Sequence, residues 1–159
     1  MVAIEIEQVK SFMSNLLVGD LFDQFLMREG KLTMSISYEF DGTLQEEFYD
    51  SDQWELIKEY QYISWKSEKT RIFSLIKGKK TPLSFRFVLM LTRKKVEEFV
   101  MRYNIPVDAD DITGLFINVY FQRGVLTCTP GVSRRTFVAD HTLEQMWDEE
   151  MKQYLKEFM

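Results

Sequence analysis

Leu115-Phe116-Ile117-Asn118-Val119-Tyr120-Phe121-Gln122-Arg123-Gly124-Val125-Leu126-Thr127-Cys128-Thr129 holds the strongest periodicity in the chain. Leu115, Ile117, Val119 and Phe121 alternate with Phe116, Asn118 and Tyr120, a period of two that builds a strand with one buried face. Arg123-Gly124 then turns the chain into Val125 to Thr129, which predicts a β-hairpin. Upstream, Leu83, Phe85, Phe87, Leu89 and Leu91 form one face of a further strand, and Ser84, Arg86, Val88 and Met90 form the other. Apolar residues on both faces place that strand at or near the centre of a sheet. Met34, Ile36, Tyr38 and Phe40 alternate with Ser35, Ser37 and Glu39, and Asp41-Gly42 leads into Leu44, Glu46 and Phe48. This pattern predicts another hairpin with its turn at Asp41-Gly42.

Helical spacing fills the intervals. Val9, Phe12, Met13, Leu16 and Leu17 predict a helix over about residues 7–18, with Gly19 as its stop. Phe22 to Met27 fits a strand or a short helix, with the strand preferred, and Trp54, Ile57 and Gln61 fit a short helix between Asp50 and Tyr62. Ser67 reads as the N-cap of a helix carrying Ile72, Phe73, Leu75 and Ile76 and stopping at Gly78. Another follows Thr92, with Val96, Phe99, Val100 and Tyr103 on its buried side. Pro130-Gly131 is expected to end its strand and Thr136 to Ala139 to form a short further one. A C-terminal helix starts near Thr142, where Gln145 completes a capping-box pattern, and Leu143, Met146, Trp147, Tyr154, Leu155 and Phe158 form its stripe. Hairpins with helices before, between and after them imply a single α+β domain over residues 1–159 with a mainly antiparallel sheet.

The chain has 159 residues, of which 45% are hydrophobic and 14% aromatic, enough for one domain with a real core. The longest uninterrupted apolar run is Phe87 to Leu91, far short of the ~20 residues of a membrane-spanning helix. Glu5 and Glu7 stand where a secretory signal needs positive charge, so a cytoplasmic location is expected. A single cysteine, Cys128, excludes an intrachain disulfide and a cysteine-based metal cluster.

Charge is distributed unevenly. Residues 1–62 carry a net charge of -9, residues 63–103 of +8 and residues 104–159 of -4, within an overall -5. A basic block inside an acidic protein focuses a positive potential that attracts anions or an acidic partner.

Several segments are similar to a known family. Val9-Lys10-Ser11-Phe12-Met13 with Leu16-Leu17, then Phe22-Asp23-Gln24-Phe25-Leu26 and Asp41-Gly42, resemble the opening of a family of small uncharacterised proteins from clostridial, gut-type bacteria. Ile76-Lys77-Gly78-Lys79-Lys80-Thr81-Pro82-Leu83-Ser84-Phe85 resembles its middle. Gly114 to Asn118, Leu126 to Thr129 with Gly131 and Ser133, and Trp147-Asp148 resemble its end. The resemblance spans nearly the whole chain. It implies a shared fold and, the family being one of unknown function, no activity. The chain departs from the family pattern at Arg93-Lys94-Lys95 and His141, where members are less basic.

Within the basic block two clusters are candidates for binding. Lys77, Lys79 and Lys80 flank Gly78 between a helix end and a strand, where lysines and free backbone N–H groups suit an anion, although cations also complement a helix C-terminus without any ligand. Arg93, Lys94 and Lys95 occupy the first turn of a helix, where the dipole disfavours cations by ~0.3–1 kcal/mol each and welcomes an anion. Pairing with Glu97 and Glu98 is the simpler account of them. Arg134 and Arg135 are possible additions to the same surface.

Catalytic and metal patterns are thin. His141 is the only histidine, and Asp140 and Ser133 near it lack any nucleophile-elbow pattern, so it reads as a helix-cap neighbour. Asp108, Asp110 and Asp111 are spaced like the start of a calcium loop, but Val119 stands where the bidentate glutamate belongs, and capping of a short turn is preferred. Cys128 reads as a small buried thiol. The paired carboxylates Glu46-Glu47 and Glu149-Glu150 diverge on a strand or a helix. The expectation is therefore a non-enzymatic binding or interaction module with no cofactor and no metal, whose basic surface within residues 66–102 meets an acidic protein or anionic ligand. Nucleic acid is the alternative partner, an enzyme acting on an anionic small molecule is the third reading, and a membrane is not expected.

Overall fold

The structure, a computed structural model, describes residues 2–159. Seven strands form one antiparallel sheet: β1 (Ile4–Ile6), β2 (Phe25–Thr33), β3 (Ser37–Asp41), β4 (Ile63–Ser64), β5 (Ser84–Leu91), β6 (Ile112–Gln122) and β7 (Val125–Arg134). Their order is β1-β7-β6-β5-β2-β3, with β4 sharing the β3 edge of β2. Five helices accompany them: α1 (Val9–Leu17), α2 (Ser51–Ile57), α3 (Trp65–Ile76), α4 (Arg93–Arg102) and α5 (Thr142–Tyr154).

Alternation sets the register. Phe85, Phe87 and Leu89 of β5 lie opposite Phe121, Val119 and Ile117 of β6, and Val119 and Phe121 lie opposite Cys128 and Leu126 of β7. All of these are buried. Phe85 stacks on Phe121 with ring centroids 5.2 Å apart, and Trp65 meets Phe87 at the same separation. The helices are pinned over this face by their tryptophans: Trp65 Nε1 donates to the Leu16 carbonyl and Trp147 Nε1 to that of Phe116, each at 2.8 Å. A buried indole needs such a partner, and its apolar body contributes most of its stabilisation. On the other face Glu5, Lys31, Glu39, Arg86 and Tyr120 are exposed while Val88 is buried, so that face is largely open to solvent.

The α+β architecture, the hairpin of β6 and β7, the central strand β5 and the C-terminal helix agree with the sequence reading. Elsewhere the structure corrects it. The first hairpin joins β2 to β3 through Met34-Ser35-Ile36, and Asp41-Gly42 lies at the end of β3. A Cβ on Gly42 would sit 1.8 Å from the Met27 carbonyl oxygen, so glycine is required there by the close approach to β2. Residues 44–48 form no strand, and Glu46–Phe48 is a single 3-10 turn. Helix α3 starts three residues earlier than expected, because Ser64 is its N-cap and accepts from the Ser67 N–H. Strand β7 passes through Pro130-Gly131 to Arg134, and residues 136–139 are not a strand. At α5 the expected capping box is absent, and Asp140 instead accepts from the backbone N–H and hydroxyl of Thr142. Tyr154 lies at the margin of its stripe, half exposed, while Met151 takes a buried place.

Candidate functional site

Burial and pairing remove most of the basic block from consideration. Of its eleven cations, Lys69, Arg71, Arg86, Arg93, Lys95 and Arg102 lie within 4 Å of a carboxylate. Lys69 is internal, bonded to Asp23 and to the Gly19 carbonyl, and serves to tie α3 to the chain after α1. Lys66, Lys77, Lys79, Lys80 and Lys94 have no such partner among the described residues. Three of these five belong to one loop.

That loop, residues 77–83, enters β5 at a particular end of the sheet. Ser84 pairs with Thr33 on one side and Gln122 on the other, and the Leu83 N–H donates to the Thr33 carbonyl. The β2–β3 turn at residues 34–36 and the β6–β7 turn at Arg123-Gly124 therefore lie at the same end. Together the three connections carry Lys77, Lys79, Lys80 and Arg123 and no carboxylate. Arg123 also lacks an ion-pair partner among the described residues. Each connection or its adjoining strand residue contributes one exposed aliphatic side chain: Ile36 is 60% exposed, Leu83 67% and Val125 49%. We refer to this end as the basic pole.

Arg123 is the residue that sequence reasoning left out. It has φ +54° and Gly124 φ +80°, the pair of left-handed conformations of a type I′ hairpin turn. Glycine adopts them freely, but an arginine there gives up on the order of 1 kcal/mol. Its place beside Lys79 and Lys80 depends on strand order, which no local signal conveys.

Arg93, Lys94 and Lys95 lie at the opposite end of β5, eight residues or about 26 Å away at ~3.3 Å per residue. Thr92 caps their helix by accepting from the Lys95 N–H. Arg93 binds both Glu97 and Asp110, and Lys95 lies 3.4 Å from Glu98. Arg134 and Arg135 are at this end too. Arg134 makes two bonds to the Glu144 carboxylate at 2.9 and 3.0 Å, and this holds that carboxyl below its ordinary range. The Arg135 N–H donates to the Asp111 carbonyl. Arg93, Lys95 and Arg134 are thus matched by acids, while Lys94 and Arg135 have no ion-pair partner among the described residues.

The remaining candidates resolve into structural roles. Asp108 accepts from the Asp110 N–H and caps a 3-10 turn, beside an open depression of ≈ 570 Å³ lined by Asp108, Asp110, Asp111, Arg135 and Thr136. No cluster of three or more metal-ligating side chains occurs among the described residues. His141 is exposed, and Ser133 bonds to Thr113 rather than to it. Burial raises the Cys128 thiol to about 12 and leaves it an inert part of the core. A wider concavity of ≈ 680 Å³ on the open sheet face is lined by Arg28, Glu29, Lys31, Glu39, Asp41 and Arg86. Its charges alternate in sign, and Arg86 lies 3.8 Å from Glu29, so it holds no single-sign field.

Fold and site thus define a two-layered α+β domain, helices on one face of a sheet, with a charged, partly apolar end. Residues 15–158 match the model described as "Family of unknown function (DUF5721)", and the chain belongs to that family. Neither the curated proteins nor the solved structures give a match. Among the described residues no helix is long and apolar enough to cross a membrane.

Proposed function

We propose that the protein is a non-enzymatic interaction module and that its basic pole receives an acidic polypeptide segment carrying apolar side chains. The observation that supports this most is the coincidence of unpaired cations with exposed aliphatic residues on three adjoining connections. Cations alone would serve solubility. Ile36, Leu83 and Val125 beside them add surface whose burial is worth about 25 cal/mol per Å², and the charges set register and orientation. Single-stranded nucleic acid would call for aromatic side chains on which bases stack, and the pole presents aliphatic ones. Arg93, Lys94 and Lys95 do not belong to this surface, because α4 starts at the other end of β5.

The test uses two labelled probes on the folded protein: a synthetic peptide alternating glutamate and leucine, and a single-stranded oligonucleotide. The peptide should bind, and Lys79→Glu with Lys80→Glu should weaken it about tenfold or more while shifting stability by no more than ~1 kcal/mol. Binding of the oligonucleotide in preference, with a steep dependence of affinity on salt, would overturn the proposal in favour of a nucleic-acid partner.

A further inference from the structure

The chain itself carries a segment with the chemistry that the pole demands. From Thr43 to Ser64 not one residue is buried. This arm leaves the sheet after Gly42 and returns at β4, with Leu44 and Gln61 bonded at its root. Its helix α2 keeps its shape through a capping box, in which Asp50 accepts from the Gln53 N–H at 2.8 Å and the Asp50 N–H donates to the Gln53 side chain. Local capping replaces the packing that most short helices need.

Six carboxylates lie on the arm, at Glu46, Glu47, Asp50, Asp52, Glu55 and Glu59, against the single cation Lys58. Between them Phe48 is 84% exposed, Leu56 80% and Tyr60 48%. Large apolar side chains at such exposure, spread over one arm, mark a surface that is covered by association. The arm's net charge of -5 complements the four cations of the pole, and apolar residues occur on both.

The arm is rooted away from the pole of its own molecule. Its root lies beside Met27, seven residues along β2 from the Met34 turn, about 23 Å at ~3.3 Å per residue. No hydrogen bond or ion pair joins the two among the described residues. We infer that the pole's occupant is the acidic arm of a second copy of this chain, so that the protein associates with itself, arm into pole. The inference rests on the proposed reading of the pole as a site for acidic, apolar polypeptide. Because the two patches differ, the contact is heterologous, and a pair of copies retains one free arm and one free pole between them unless the association closes.

Sedimentation velocity over a concentration series, at low and high salt, gives the test on the full chain. Wild-type protein should associate with rising concentration, and salt should oppose it. Lys79→Glu with Lys80→Glu removes the pole, and Glu55→Lys with Glu59→Lys removes the arm. Circular dichroism should show both variants folded. Each alone should associate at least about tenfold more weakly, and an equimolar mixture should form dimers and nothing larger through the one intact pair of surfaces. A wild type that stays monomeric throughout, an arm variant that associates like wild type, or a mixture that yields no dimer overturns the inference. Loss of peptide binding in Lys79→Glu, Lys80→Glu, in a wild type that is monomeric, would leave the pole reading intact while removing the second copy as its occupant.

Discussion

The two ends of β5 carry similar cationic clusters, and they differ in what surrounds them. At the Arg93 end every connection brings carboxylates: Glu97 and Glu98 from α4, Asp108 to Asp111 from the turn before β6, and Glu144 from α5. Arg93 and Arg134 there are held in ion pairs that tie elements of the fold together. At the pole the connections bring Lys77, Lys79, Lys80 and Arg123, no carboxylate, and three exposed aliphatic residues. Charge in the first place is structural and in the second is available. Positive charge in a sequence is therefore free to meet a partner where topology withholds its counter-charge.

Both ends depend on one core, and the largest effect comes from disturbing it. Trp147→Ala empties the space between α5 and the sheet and removes the bond to the Phe116 carbonyl, and should lower stability by ~3–5 kcal/mol in chemical denaturation. Next comes Arg134→Ala, which leaves Glu144 without its two bonds and should cost ~1.5–3 kcal/mol with no change at the pole. This pair also has a pH signature. Because the Glu144 carboxyl is held below its ordinary 4.5, the pair's contribution is complete above about that pH and fades as pH falls through the lowered value. The difference in Tm between wild type and Arg134→Ala should accordingly be large at neutral pH and shrink towards pH 3. At the pole the sign reverses. Arg123→Asn suits the left-handed turn position better and should raise stability by ~0.5–1 kcal/mol while weakening peptide binding, a gain in fold at the expense of function. Equal binding by Arg123→Asn and wild type would detach Arg123 from the pole.

Strands β6 and β7 were legible in the sequence because apolar residues recur at every second position through most of their length, β5 because apolar residues fill both its faces, and Arg123-Gly124 is a turn that its own residues announce. The first hairpin was not. Asp41-Gly42 has the composition of a hairpin turn, yet its glycine answers to the Met27 carbonyl across the sheet, while the true turn at Met34-Ser35-Ile36 has no glycine or proline to mark it. Pro130 misled in the same way. It lies in β7 beyond Cys128, the last residue paired with β1, where the strand is an edge and tolerates a missing N–H. Of the candidate site, Lys77, Lys79 and Lys80 were visible as a cluster. Arg123 joins them only through the register of β5 against β6, which periodicity does not encode, whereas the separation of Arg93 to Lys95 from them follows from the strand read over Leu83 to Leu91.

Fluorescence anisotropy of the labelled glutamate–leucine peptide, titrated with two charge-reversed variants, tests the contrast between the ends most directly. Lys79→Glu with Lys80→Glu should weaken binding about tenfold or more. Lys94→Glu with Lys95→Glu should leave it within about twofold, because Lys95 is half-buried against Glu98 and Lys94 points from the other end of the sheet. Equal losses in the two variants, or a greater loss in the second, would contradict the account.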